Sequence, residues 1–300
     1  MHDHPAWAAL PVPDADGIYG YPAALMSAHR AWQEHLSELR SQGANDIVEL
    51  TAPHSGARYL IARRALGGRP ILAIEPHHDD LILSASGSLL ARSAPLTVIT
   101  VFTRSTSVHP DLATTYPNVK CVSELRTAEA QASLLPLGAA RYLLGHKDAD
   151  PPYRPFDLNV LDLVVEQLRP IVAAHPNAEL LAPAAVTRHP DHLLVHEAAR
   201  RVGCTWFWED AAFWPTYALS ADDLYLFHTR VGDSMTVEAV DITSVILDKL
   251  TLLYLHASQM QPLSAMYRPV RYAFAAAQTL PRQNGALYAE RFYRPRGGVQ

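Results

Sequence analysis

The sequence predicts an α/β fold, a Rossmann-like layered sandwich with a mostly parallel sheet and helices on both faces. Two observations support this prediction. From Pro70 onward, short apolar runs alternate with segments of helical periodicity. In addition, clusters rich in His and Asp follow two of the apolar runs within a few residues, and open α/β sheets bind ligands just past the carboxyl ends of their strands.

The N-terminal residues 1–65 are predicted to form an extension, an extra helix and hairpin packed on the main domain of residues 66–300. A Pro-rich start leads into a helix near Pro22–Ser41. The turn-prone PHSG then separates the two runs of a hairpin, DIVEL and ARYLIA.

The main domain opens with a βαβ pattern, PILAIE, LILSASGSLLARSA and TVITVF. The same alternation continues through helix SELRTAEAQASLLPLG, strand RYLLG, helix LNVLDLVVEQLR, strand ELLAPAA, helix HLLVHEAARRV and strand CTWFW. After Trp214 the sequence predicts strands LYLFHT and MTVEAVDI, helix SVILDKLTLLYLHAS and a second helical segment ending in PVRYAFAAAQTL.

Composition argues against several classes of function. Lys and Arg number 25 against 30 Asp and Glu, a formal charge of −5 that offers no basic surface for nucleic acid or anionic membranes. The 2 cysteines form neither a disulfide framework nor a Cys-rich metal site, and we expect a cytoplasmic protein. No signal-peptide pattern and no apolar run of roughly 18 residues is seen. The composition is compatible with a homo-oligomer.

The two polar clusters have the composition of one metal site. Residues 77–80 read His-His-Asp-Asp after the first strand of the main domain, and residues 189–192 read His-Pro-Asp-His after ELLAPAA. A catalytic zinc takes three His or carboxylate ligands and keeps one position open. The remaining Asp and His side chains could then act as general base and as the acid that protonates the amine released from an amide.

Either cluster alone is more often a solvated turn or a helix cap, since Asp caps helices and Pro opens them. Together, at the ends of two strands, their complementary ligand types favour the metal site. The residues alone do not distinguish the base from the ligand between the paired aspartates.

With these two motifs the chain resembles the LmbE/PIG-L family of zinc-dependent N-deacetylases. That family has His-x-Asp-Asp after its first core strand and His-Pro-Asp-His before a later helix. Further similar segments are SELRTAEAQASLLPLGA, WEDAAFWPTY and LYAERFY, so the resemblance spans roughly residues 70–293. It implies a hydrolase that removes an acetyl or other acyl group from the amine of an amino sugar or an amino-sugar-containing metabolite.

The resemblance also implies a role for individual residues. His77, Asp80 and His192 would bind one zinc ion, or another divalent metal, per chain. Asp79 would be the general base that takes a proton from the water at the metal, and His189 would assist the tetrahedral intermediate and the leaving amine.

Four residues are candidates for substrate binding: Arg126, Asp150, Trp208 and Asp191. Three of them have a structural alternative, namely a helix charge for Arg126, a turn for Asp150 and core packing for Trp208. Asp191 is also expected to support the metal site from outside it.

The chain departs from many family members at His78 and Leu81, where Pro and Glu are common. Successive residues of an extended segment point to opposite sides, so we expect His78 to face away from a metal held by His77. Leu81 removes a carboxylate that could orient the site. His196, one turn after His192, is expected to pack or hydrogen-bond rather than bind metal.

Other functions stay open at this point. One is an amidase acting on a larger acyl conjugate, and another is a non-catalytic sugar-binding protein on the same fold. Metal-assisted phosphoester cleavage is disfavoured because it usually needs a second metal roughly 3.5–4 Å from the first, and the motifs supply ligands for one.

Overall fold

The computed structural model describes residues 21–63, 65–187, 189–211, 235–260, 263–278, 280 and 285–295. The predicted strand LYLFHT and most of the WEDAAFWPTY segment lie outside these residues. No helix in the described part of the chain is long and apolar enough to cross a membrane.

Within the described residues, the strands form a hairpin and a seven-stranded sheet. The predicted hairpin is present as β1 (Ile47–Thr51) paired antiparallel with β2 (Arg58–Ala62). The sheet contains β3 (Ile71–Glu75), β4 (Leu96–Arg104), β5 (Ala140–Lys147), β6 (Glu179–Pro183), β7 (Trp206–Trp208), β8 (Met235–Asp241) and β9 (Ala289–Pro295). Their order is β5-β4-β3-β6-β7-β9-β8. The first five strands in this order are parallel, and β9 and β8 add an antiparallel edge. The sheet is therefore mostly parallel, as predicted.

Helices cover both faces of the sheet. They are α1 (Tyr21–Ser41), α2 (Asp80–Arg92), α3 (Val119–Leu134), α4 (Leu158–Ala173), α5 (Pro190–Arg201), α6 (Ile246–Tyr254) and α7 (Leu263–Ala277). Strand β3 is buried on both sides: Ile71 and Ala73 join the core shared with α1, α2 and α6, whereas Leu72 and Ile74 join the core shared with α4 and α5. Burial on both faces explains why β3 reads as an unbroken apolar run.

Both sequence motifs lie where a strand passes into a helix. Strand β3 pairs parallel with β6, so their carboxyl ends meet at one edge of the sheet. Asp79 is the N-cap residue of α2, and His189 is the N-cap residue of α5. The two helix N-termini therefore point at the same edge, where their dipoles favour negatively charged groups.

The N-terminal helix α1 shares the larger apolar core with the main domain, through residues that include Leu25 and Leu36. Its polar contacts also reach α6, because Trp32 Nε1 donates to Asp248 Oδ1 at 2.8 Å. The domain boundary near residue 65 stays a prediction.

Candidate metal centre and active site

A cavity of about 450 Å³ opens at the carboxyl edge of the sheet. It is lined by residues of both motifs, namely His77, Asp79, Asp80, His189 and His192. Loops after β4 and β5 complete its wall, together with the segment that follows α6.

Three of these side chains converge on one point. Nδ1 of His77 lies 3.1 Å from Oδ2 of Asp80, and Nε2 of His192 lies 3.4 Å from Oδ1 of Asp80. One donor atom from each of the three lies within 4.8 Å of the others, and all three residues are buried. Two imidazole nitrogens and a carboxylate are the donor types of a three-ligand catalytic zinc site.

The opposite nitrogen of each histidine ring is held by a second carboxylate. Nε2 of His77 lies 2.9 Å from Oδ2 of Asp191, and Nδ1 of His192 lies 2.7 Å from Oδ1 of Asp210. Hydrogen bonds of this kind fix the tautomer and orientation of metal-binding histidines. Nδ1 of His77, a carboxylate oxygen of Asp80 and Nε2 of His192 could therefore hold a metal ion.

Asp210 was missed by the sequence reasoning. It lies two residues after the end of β7 and is buried, and its second oxygen accepts a hydrogen bond from the backbone N–H of Val186 at 3.1 Å. Its position just past a parallel strand was the signal that could have identified it.

A second possible set of metal ligands consists of His77, His189 and Asp191, whose donor atoms also lie within 4.8 Å of one another. Its members are already used in other hydrogen bonds. Oδ2 of Asp191 accepts from the Ala149 N–H at 2.9 Å and contacts His77, while Nδ1 of His189 accepts from the Asp191 N–H at 3.3 Å. The set that contains Asp80 and His192 fits a metal better.

The general-base candidate Asp79 is part of a buried polar chain. One guanidinium nitrogen of Arg126 donates to Oδ1 of Asp79 at 2.7 Å, and the other donates to Oγ of Ser105 at 2.6 Å. Ser105 in turn donates to Asp148 at 2.5 Å. Burial alone would lower the pKa of Arg126, but the charges of Asp79 and Asp148 raise it. Arg126 is therefore a buried, charged partner of the predicted base at the wall of the cavity.

The protonation of the cluster reflects competition between burial and charge. Burial alone would lower the pKa of His77, but its hydrogen bonds to Asp191 and Asp80 raise the pKa to about 10. For His192, burial is likewise outweighed, by Asp80 and Asp210, and its pKa is raised. For Asp80, burial works against ionisation, yet the adjacent histidines hold its pKa below the usual range. A metal ion bound here would displace protons from the histidines.

The pKa of His189 is shifted in the opposite direction from those of His77 and His192. Burial, followed by the charges of His192 and His77, lowers the pKa of His189 to about 4. Because its Nδ1 accepts the Asp191 N–H, the neutral ring carries its proton on Nε2. The ring of Tyr153 packs against it, with centroids 4.5 Å apart and planes at 56°.

The remaining substrate-binding candidates differ in their surroundings. Asp150 is exposed and lines the cavity, and its carboxylate accepts from Thr106 at 2.6 Å and from Lys147 at 2.5 Å. Trp208, in contrast, is fully buried within β7, and it is not among the residues that line the cavity. The expectation of substrate contact is corrected for Trp208, because core packing accounts for its ring.

The two departures from the family pattern have clear structural consequences. As predicted, His78 faces away from the cluster, with Nδ1 3.0 Å from an Arg141 guanidinium nitrogen and Nε2 3.3 Å from Oγ1 of Thr127. The side chain of Leu81 lies in the apolar core, and its backbone N–H donates to the buried Glu75 at 3.2 Å.

His196 is not part of the cluster. Its Nδ1 lies 2.8 Å from the carbonyl oxygen of Pro183, and its ring packs against Phe207. This agrees with the expectation of a packed, hydrogen-bonded histidine.

Comparisons with known proteins find similarity to deacetylases. The family model for PIG-L, GlcNAc-PI de-N-acetylase, matches residues 72–202, a range that contains both motifs. A 2'-N-acetylparomamine deacetylase of Streptomyces fradiae is 33% identical over 218 residues, which cover 66% of this chain and 76% of that protein.

Solved structures share the fold at lower identity. The zinc-inhibited form of teicoplanin deacetylase is 17% identical with a TM-score of 0.55, covering 77% of this chain and 100% of the other. The N,N'-diacetylchitobiose deacetylase from Pyrococcus horikoshii is 20% identical with a TM-score of 0.50, covering 76% and 84%. At these identities the two structures show the fold alone.

Proposed function

The chain belongs to the LmbE/PIG-L family of deacetylases, and we propose that it hydrolyses the N-acetyl group of an amino-sugar-containing small molecule with one divalent cation, zinc in the first instance. The cation would be held by His77, Asp80 and His192. The observation that supports this most strongly is that both histidines turn one ring nitrogen toward Asp80 while Asp191 and Asp210 hold the other.

When bound, the cation supplies Lewis acidity that polarises the amide carbonyl and makes a water molecule more acidic. Asp79 then accepts a proton from the attacking water. Arg126 holds Oδ1 of Asp79, which leaves Oδ2 as the candidate proton acceptor. Both residues are buried, so this contact fixes the direction in which the carboxylate points.

His189 assists the other half of the reaction. Its Nδ1 accepts the Asp191 N–H, so the hydrogen on Nε2 is the one that can be donated to the tetrahedral intermediate. The proton that Asp79 has taken from water is then delivered to the amine nitrogen, which must be protonated before it leaves. Water thus supplies the hydroxyl of acetate and the proton of the released amine.

The function is tested by measuring acetate released from N-acetylparomamine, N-acetylglucosamine and N,N'-diacetylchitobiose by the purified chain. Zn²⁺, Mn²⁺, Co²⁺ and Ni²⁺ are compared after chelation, because one protein of this fold was solved in a zinc-inhibited form. We expect acetate release to be abolished by chelation, lowered by about 10²–10⁴ in Asp79→Asn, and retained in Asp162→Asn, an exposed carboxylate on α4.

No acetate from any of these substrates would contradict the deacetylase proposal. Release that persists at the wild-type rate in Asp79→Asn would contradict the proposed site. Matched substrates with longer acyl chains belong in the same assay, because a preference for them would instead identify an amidase for larger acyl groups.

A further inference from the structure

An exposed aromatic ring stands beside the proposed catalytic histidine. Tyr153 is 51% exposed and lines the cavity that contains the metal-binding cluster. Among the lining residues that the structure describes, it has the single aromatic hydrocarbon ring. Folding alone would favour burying such a ring, since a tyrosine contributes most to stability when its apolar surface leaves water.

The position of Tyr153 matches the geometry of an acylated amino sugar. In such a molecule the acetamide is attached directly to a ring carbon, so a surface that holds the sugar ring must lie close to the groups that attack the amide. Tyr153 meets this requirement because it packs against His189. The ring centroid of His189 lies 4.5 Å from that of Tyr153 and 5.3 Å from that of His192.

The chemistry of the two surfaces is also complementary. A pyranose has faces of C–H groups and a rim of hydroxyls, and aromatic side chains in ligand pockets offer flat apolar surface to such faces. Apolar parts of Val108, Pro151 and Met260 line the same cavity, whereas Asp150 provides carboxylate oxygens at its wall. A sugar bound against Tyr153 would thus keep its hydroxyls near polar groups.

We propose that Tyr153 determines specificity for a sugar ring: its aromatic ring contacts the C–H face of the pyranose that bears the scissile acetamide. This inference rests on the proposed deacetylase function. It assigns to Tyr153 the part that sequence reasoning gave to Trp208, which is buried in the core.

The test compares wild type, Tyr153→Ala and Tyr153→Phe on cyclic N-acetylglucosamine and acyclic N-acetylethanolamine. We expect Tyr153→Ala to raise KM for the sugar about tenfold and to lower by a similar factor the ratio of kcat/KM for the sugar over the acyclic amide. Tyr153→Phe should restore most of that ratio, because it keeps the ring. Tyr142→Ala is the control, since Tyr142 is 41% exposed on β5 outside the cavity.

An equal fall of kcat for both substrates in Tyr153→Ala, with KM unchanged, would overturn the inference and leave a residue that only positions His189. Saturation-transfer NMR with glucosamine gives a second, non-kinetic readout. Sugar C–H protons should receive saturation from the protein's aromatic protons in wild type and Tyr153→Phe, and much less in Tyr153→Ala.

These two measurements separate the two proposals. If the wild type releases acetate from neither substrate, the deacetylase function fails, while the NMR comparison still decides whether Tyr153 holds a sugar ring. Equal transfer in wild type and Tyr153→Ala would reject the ring-binding role of Tyr153 whatever the activity.

Discussion

Helix α2 contacts two buried groups of charges that are compensated in different ways. The sealed cluster, around the middle of the helix, consists of Lys249 and Glu290, both with 0% exposure. Nζ of Lys249 donates to Glu290 at 2.5 Å and to the Leu83 carbonyl at 2.8 Å. Glu290 also accepts two backbone N–H groups of α2, from Gly87 at 3.0 Å and Ser88 at 2.7 Å. One cation and one carboxylate balance within the chain.

The cavity cluster, at the start of α2, has a different balance. It comprises the residues of the proposed metal site and active site with their immediate partners, namely His77, Asp79, Asp80, Arg126, Asp191, His192 and Asp210. In this group Arg126 is the single permanent cation against four carboxylates. Because buried charge must be compensated, the remaining carboxylates require protonated histidines or a bound cation. The sealed cluster thus serves stability, and the cavity cluster is suited to binding and chemistry.

The largest expected effect is on catalysis at the cavity cluster. Asp79→Asn should lower kcat by about 10²–10⁴, because the amide cannot accept the proton of the attacking water, while the metal stays bound. Metal content and kcat are measured on the same preparation. If Asp79→Asn empties the site and Asp80→Asn does not, the roles of the two aspartates are reversed.

A substitution in the sealed cluster should lower the stability of the folded protein. Lys249→Met leaves the carboxylate of Glu290 buried without its cation, and we expect the free energy of unfolding to fall by about 3–5 kcal/mol. Urea denaturation measures the loss, and the double variant with Glu290→Gln should recover part of it. A loss below about 1 kcal/mol would show that the pair is not sealed as described.

How well the sequence predicts a structural feature depends on the separation, along the chain, of the residues that interact in it. The strand that precedes each motif, and the cap role of His189, follow from local patterns and were predictable. Strand β9 was not, because AERFYRP lacks apolar alternation and forms its ladder with the distant β7 and β8.

The same limit applies within the site. The family resemblance assigned His192, but the Asp210 carboxylate that holds His192 becomes its neighbour only when β6 and β7 pair. The contact between Arg126 and Asp79 likewise joins α3 to the start of α2. Motifs could thus identify candidate ligands, whereas the groups that orient them depended on the assembled sheet.

The role of Asp210 provides the next prediction. Asp210→Asn should lower metal affinity about 10–100-fold, because Nδ1 of His192 loses its carboxylate partner. The adjacent Glu209→Gln is a matched control: Glu209 faces Arg291 and Tyr293 instead of the cluster. Equal affinity losses in both variants, measured by competition with a chelating indicator, would show a general disturbance of β7.

Glu129, a buried carboxylate outside both clusters, is compensated in another way, because burial favours its protonated form. Burial raises the pKa of Glu129 from 4.5 to about 7 despite hydrogen bonds from Ser258. Because the folded pKa lies above the unfolded one, its contribution to stability is present below pH 4.5 and is lost as the pH rises to about 7.

Comparing wild type with Glu129→Gln isolates this contribution. Over that pH range, the unfolding free energy of wild type relative to the variant should fall by at most about 1.4 kcal/mol per pH unit. Urea denaturation at a series of pH values measures it. Parallel pH profiles would mean that Glu129 is ionised in the folded protein.

The difference between the two clusters is tested most directly by titrating metal-stripped protein with Zn²⁺ in a calorimeter, in two buffers of different ionisation enthalpy. We expect one ion to bind per chain with release of protons from the histidines, and no such binding in His77→Ala, Asp80→Ala or His192→Ala. His196→Ala should bind as wild type does, because His196 contacts the Pro183 carbonyl instead of the cluster. Absence of binding to the wild type, or a full equivalent bound by His192→Ala, would contradict the proposed metal site.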